Sequence, residues 1–271
     1  MHFRSSLVIV LANLTLVAML QGCTLTRAAY VYVHSPENLP KASATLPVYA
    51  EKGAESIAGD ISAALPTSIQ RIEATHGGKL DSLPPIVVCA TEACYNHYAA
   101  TPASTAETLR DKRISINGAV ILKQKWDAVQ LFTHELSHFY WYSQGVGFQP
   151  QWFEEGMGVW VSNGGGAETV SVQAAERAIR SGITIHPTLN SGFWNYLTQP
   201  PSPPENNWHM YYRQAGMFVQ YLHDSDPIAF AHLLDALRKT KDLQQAWSIA
   251  YKKNLDEMWL QFVKEIQSRN T

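Results

Sequence analysis

Residues 125–160 leave the backbone few options. From Lys125 through Thr133 no Gly or Pro interrupts the chain, and Trp126, Val129, Phe132, Leu136 and Phe139 recur at helical spacing. Gly145 and Gly147 stop that helix, and Pro150 suits the first turn of the next. The chain therefore runs helix, short loop, helix, and doubles back on itself. The first helix carries His134-Glu135-Leu136-Ser137-His138 and the second carries Trp152-Phe153-Glu154-Glu155-Gly156.

Two histidines four residues apart share one helical face, one turn above the other. Both imidazoles then reach a single metal ion, as a tetrahedral zinc site requires. Glu135, beside the first ligand, is placed to act on water rather than on the metal. A third ligand from the second helix would leave one coordination position open. Glu155 is the leading candidate; Glu154 is the rival, one helical step away and directed elsewhere. A surface helix that carries His, Glu and His by chance is the plain alternative. The agreement of periodicity, glycine stop and proline start argues against it.

The pair His134-Glu135-x-x-His138 and Trp152-Phe153-Glu154-Glu155-Gly156 resembles the gluzincin metallopeptidases. These belong to the broad peptidase MA-like superfamily, which includes the aminopeptidase-N-like enzymes. The resemblance implies Glu155 as third zinc ligand, Glu135 as general base and one Zn2+ per chain. It covers residues 84–265. The interval between the motifs is shorter than in the aminopeptidases by a residue or two, which argues against that branch but not against the superfamily. Tyr211-Tyr212-Arg213-Gln214-Ala215-Gly216 is similar to the start of the helix that carries a transition-state-stabilising tyrosine. Tyr212 is the matching position, with a phenol suited to an oxyanion. His209 is the alternative, as in thermolysin-like gluzincins, and plain aromatic packing is the bland one.

Arg113–Leu122 is rich in β-branched residues and reads as a strand. In the resembled peptidases the strand before the metal helix is a sheet edge that pairs with the substrate backbone. That implies substrate contacts from Asn117, Gly118 and Ala119; a core strand is the alternative. The stretch lacks the glutamate that grips a free amino terminus, so the resemblance points to an endopeptidase more than an aminopeptidase.

The chain of 271 residues opens with Met1-His2-Phe3-Arg4 and an apolar run from Leu7 to Leu20, shorter than a membrane span. This describes a secretory signal peptide over 1–22. Gly22-Cys23 after Leu20 resembles a bacterial lipobox, which implies lipidation of Cys23. Residues 23–271 are then one domain outside the cytoplasm, anchored in the cell envelope, on the outer membrane if the cell has one. In an oxidising compartment Cys89 and Cys94 are expected to pair as a local disulfide, with two reduced cysteines as the alternative.

With a formal net charge of -2, no basic stripe and no acidic tail, nothing in the sequence points to nucleic-acid binding, and none is expected. Trp and Tyr concentrate around 139–160 and 193–221, where some could line an apolar cleft.

Residues 29–34 alternate like a strand, 52–76 carry a helical pattern that Pro66 kinks or breaks, and 85–89 is a second strand. A short helix is expected at 92–99 and another at 168–181. Residues 184–207 hold too many prolines for a regular element and border the cleft or merely link helices. The pattern is α+β: a small N-terminal mixed sheet with flanking helices over 24–124, then a mostly helical half over 125–271, with the metal between. The resemblance makes that plan thermolysin-like.

The expected function is zinc-dependent hydrolysis of a peptide or protein substrate. The competing expectation is a lipid-anchored envelope binding or assembly protein with a structural or vestigial zinc site. Oligomeric state is not written in these residues.

Overall fold

The computed structural model describes residues 27, 29–110, 112–194 and 203–269. The leader and Cys23 lie outside the described residues, as do Pro200 and Pro201 of the proline-rich segment.

Four short strands form one mixed sheet. They are β1 (Val48–Ala50), β2 (Ile86–Cys89), β3 (Ala106–Leu109) and β4 (Arg113–Asn117), in the order β1-β2-β4-β3. β1, β2 and β4 run parallel, and β3 lies antiparallel on β4 with Glu107 opposite Ser115. β2 and β4 are buried along their whole length, which accounts for the unbroken apolar run Ile86-Val87-Val88-Cys89 in β2. Among the described residues every strand precedes residue 118, and helices follow, so the chain is α+β.

α1 (Glu55–His76) and α2 (Glu92–Tyr98) flank the sheet; α3 (Gly118–Gln124) leads from it. Then come α4 (Ala128–Ser143), α5 (Gln151–Ser162), α6 (Val172–Arg180) and α7 (Trp208–Ser225). α8 (Pro227–Thr240), α9 (Leu243–Ala250) and α10 (Leu255–Ser268) complete the helical half. Asp127 caps α4 by accepting from the amides of Val129 and Gln130 at 2.8 and 3.0 Å. α5 begins after Pro150, and its amides at Phe153 and Glu154 reach the Pro150 carbonyl. Phe132, Leu136, Trp152, Phe153 and Phe218 are buried together where α4, α5 and α7 meet. Gly156 lets α7 approach α5, since a Cβ there would stand 2.8 Å from the Ala215 carbonyl oxygen. No helix among the described residues is long and apolar enough to cross a membrane.

Four expectations change. Residues 29–33 are helical, not a strand. The free edge of β1 is met instead by residues 40–42. Buried Arg113 donates to the carbonyls of Val31, His34 and Tyr98 and so ties the N-terminal turn to the sheet. The strand expected over 113–122 ends at Asn117, whose side chain caps α3 through the Val120 amide. β4 is also internal, paired on both sides, so it is no sheet edge. That edge is β3, and nothing in its sequence, Ala106-Glu107-Thr108-Leu109, marks it by apolar alternation. Finally, α1 runs unbroken through Pro66.

α4 is fastened to α1 by a buried polar contact on the side away from the sheet edge. Wholly buried His76 shares a 2.8 Å hydrogen bond with Ser137 and one of 2.9 Å with Thr75. Burial, with Arg238 nearby, pushes His76 down to about 3. The unfolded chain binds this proton below about pH 6.5 while the folded chain refuses it. Stability is therefore expected to fall as pH drops from about 6.5 towards 3, by about 1.4 kcal/mol per pH unit from this one group. Chemical denaturation across that range checks it, and a His76→Gln variant should show a shallower acid limb.

Candidate metal centre

His134 and His138 stand one turn apart on α4, and Glu155 faces them from the first half of α5. The His134 and His138 Nε2 atoms are 3.0 Å apart. Glu155 Oε2 lies 3.1 Å from the first and 3.6 Å from the second. These three donors form a group that could hold a metal ion. Ligands about 2.0–2.1 Å from a tetrahedral cation stand about 3.3 Å from one another, and the three separations bracket that value.

The hydrogen bonding of His134 strengthens the fit. Its Nδ1 lies 2.8 Å from the Gly165 carbonyl oxygen, which only accepts, so Nδ1 carries the proton. Nε2 then presents a lone pair to the Glu155 carboxylate. Two acceptors 3.1 Å apart require a positive charge between or beside them. Burial works against a charged His138, but the Glu155 carboxylate beside it, with Glu135 and Glu154 near, pushes it up to about 9. Burial would likewise raise Glu155; the facing imidazoles outweigh it and hold that carboxyl well below the usual range. The pocket is thus built around a cation, whether metal or proton.

Glu154 points elsewhere. Its Oε1 accepts from the Gln149 amide at 2.7 Å, and burial, opposed by that bond, pushes its carboxyl up to about 7.

Glu135 lies on the sheet side of α4. The Thr108 hydroxyl on edge strand β3 sits 2.7 Å from its Oε2 and 2.8 Å from its carbonyl oxygen. Burial raises the Glu135 carboxyl, while the two histidines and Thr108 oppose the rise. Tyr212 begins the second turn of α7, with its ring stacked on that of His134 at 6.2 Å between centroids. His209 is turned to Glu168, 3.3 Å from its Oε2, and accepts weakly from the Thr169 amide.

Asn117, Gly118 and Ala119 sit at the end of the internal strand and the start of α3. Asn117 is buried, and a Cβ on Gly118 would stand 2.5 Å from the Cys89 carbonyl oxygen. That glycine accommodates the protein's own backbone, and these residues are not on the exposed edge expected for substrate. Cys89 and Cys94 are joined in a disulfide, with Cα atoms 5.5 Å apart.

Several supporting residues have no sequence motif. Gly158, one turn after Glu155, leaves room for His134: a Cβ there would lie 2.7 Å from the imidazole. The Gly164–Gly166 loop supplies the carbonyl for His134. It is held by Ser162 on the Gly165 amide at 2.9 Å and by Glu168 on the Gly166 amide at 2.6 Å. Arg213, next to Tyr212, donates to the carbonyls of Ala167 and Val170. The glycine run reads from sequence as a helix stop; that it also orients a ligand is visible only in three dimensions. A partner that fixes a ligating imidazole commonly contributes about 10–100-fold in metal affinity. Gly158→Ala and Glu168→Gln are each expected to weaken metal binding within that range in a chelator competition. Affinity equal to wild type in both would show that this support does not matter.

An open cavity of about 750 Å3 lies elsewhere, among α1, α3 and the start of α4, with Asp60, Ile121 and Trp126 in its lining. It includes none of the residues of the metal centre. Fold and site together define an α+β chain with a two-histidine, one-carboxylate ligand group. No protein-family model, curated protein or solved structure matches the chain.

Proposed function

We propose that this chain is a zinc-dependent metallopeptidase of gluzincin type, with a thermolysin-like plan, held at the cell envelope by a lipid on Cys23. The observation that carries the reading is the convergence of His134, His138 and Glu155 with a fourth group, the Glu135 carboxylate, on the sheet-edge side of the same helix. A structural metal site has no use for that fourth group. Two imidazoles and one carboxylate suit zinc and leave a coordination position open.

Zinc at this site supplies Lewis acidity towards water and a carbonyl oxygen. Glu135 takes a proton from the attacking water and delivers it to the leaving amine. Its burial makes its carboxyl a better base than an exposed one. Thr108 fixes the orientation of that carboxyl from the sheet edge. Of the two candidate donors for the oxyanion, Tyr212 is beside His134, whereas His209 is turned to Glu168.

The test is metal analysis of the purified chain, followed by digestion of an unfolded protein with and without a chelator. Cleavage that the chelator abolishes and added zinc restores supports the reading. A metal-loaded chain that cleaves nothing would instead indicate the envelope binding protein with a structural or vestigial site.

A further inference from the structure

We propose that Arg110 is the recognition site for a carboxylate of the substrate, about two residues from the bond that is cut. This deepens the peptidase reading and rests on it.

The first observation is position. Thr108 joins β3 to α4 at Glu135, and Arg110 follows two residues later, at the exposed end of the sheet edge. Its guanidinium lies 4.2 Å from the centre of the Phe148 ring and 5.6 Å from that of Tyr142. His134, His138 and Tyr142 recur every four residues along one side of α4. Tyr142 is therefore about 6 Å beyond His138 along the helix. An extended peptide advances about 3.3 Å per residue, so a group about two residues from the cut reaches Arg110.

The second observation is chemistry. Among the described residues Arg110 forms no ion pair with an Asp or Glu. A guanidinium held over an aromatic ring keeps its N–H groups available to donate, and their fork binds a carboxylate bidentately. Phe193 packs on Phe148 with centroids 5.3 Å apart, and Trp194 follows at 5.4 Å from Phe193. Both are exposed, at 44% and 71%, and they extend the aromatic wall beside the arginine. Buried Glu154 interacts electrostatically with Arg110, without an ion pair between the two.

The third observation is backbone. Arg110 has φ 39 in a tight turn closed by the Lys112 amide on the Leu109 carbonyl at 2.8 Å. Asn or Gly fits the left-handed region with less strain, so the turn itself does not call for an arginine.

The carboxylate has two sources, an acidic side chain or the free C-terminus of a peptide. The test gives the zinc-loaded full chain a defined peptide mixture and reads the cut sites by mass spectrometry. Carboxylates should concentrate about two residues from the cut, always on the same side. Arg110→Asn, which suits the turn, should lower kcat/KM for those peptides about tenfold or more and leave neutral peptides unchanged. Arg110→Glu should reverse the preference towards Lys and Arg. Amidating the peptide C-terminus distinguishes the sources: a preference that survives belongs to the side chain, and one that disappears belongs to the terminus. Cuts without carboxylate enrichment, or an Arg110→Asn variant that slows acidic and neutral peptides alike, would overturn the subsite and leave the peptidase reading intact. A wild-type chain that cuts no peptide removes both.

Discussion

Glu135→Gln is expected to keep the metal and lose the reaction. The amide has nearly the same shape as the carboxylate, and its oxygen still accepts from Thr108, so α4 and its two histidines stay in place. What disappears is the capacity to take a proton from water and pass it to the amine. General acid–base groups contribute about 10²–10⁴-fold, so kcat/KM should fall by at least about a hundredfold. Metal content per chain should not change. The two measurements must be made on the same preparation. If Glu135→Gln cleaved as fast as wild type with its metal bound, the role of this carboxylate would be refuted. If instead the metal were lost, Glu135 would have to be counted among the ligands.

Metal uptake is expected to expel about one proton per ion near neutral pH. In the metal-free chain the Glu155 carboxylate, working against burial, holds His138 charged up to about 9. A charged imidazole cannot ligate, so the ion must displace that proton. The sign follows: below pH 9 each unit of acidification should lower apparent affinity about tenfold, and activity should fall with it. Calorimetry in two buffers of different ionisation enthalpy counts the protons. An affinity that is flat between about pH 6 and 8 would contradict the proposed ligand set. The same titration separates the two glutamates of α5. Glu155→Ala should cost more than the about hundredfold loss typical of supporting residues. Glu154→Ala should leave the ligand donors intact, because its carboxylate is engaged by the Gln149 amide.

Legibility of the site followed the range of the interactions. His134, Glu135 and His138 could be read because helical periodicity fixes which side chains share a face. Glu155 could be read because only a glycine-stopped loop of a few residues separates its helix from theirs. The α+β order was visible in the switch from β-branched runs to helical spacing, and the helix over 92–98 in its compact pattern. The errors came where local pattern and pairing disagreed. Residues 29–34 alternate, yet the β1 edge is met by residues 40–42. The 113–122 run looked continuous, yet Asn117 starts a helix within it. The edge strand passed unnoticed, since a half-buried strand of four residues with a charge inside carries little periodic signal.

What the sequence by itself determined is a pair of helices that double back, with two imidazoles on one and adjacent carboxylates on the other. These are consequences of helical spacing within each element and of the short loop that joins the two, and no third element is needed to infer them. Tertiary structure alone decided which glutamate turns inward, which strand forms the rim, and which carbonyl orients His134. It also decided that an arginine near the rim lies over rings from two later segments. Each of those depends on separate elements meeting in space, which no periodicity within one element fixes, and packing settles such meetings only once the core has closed.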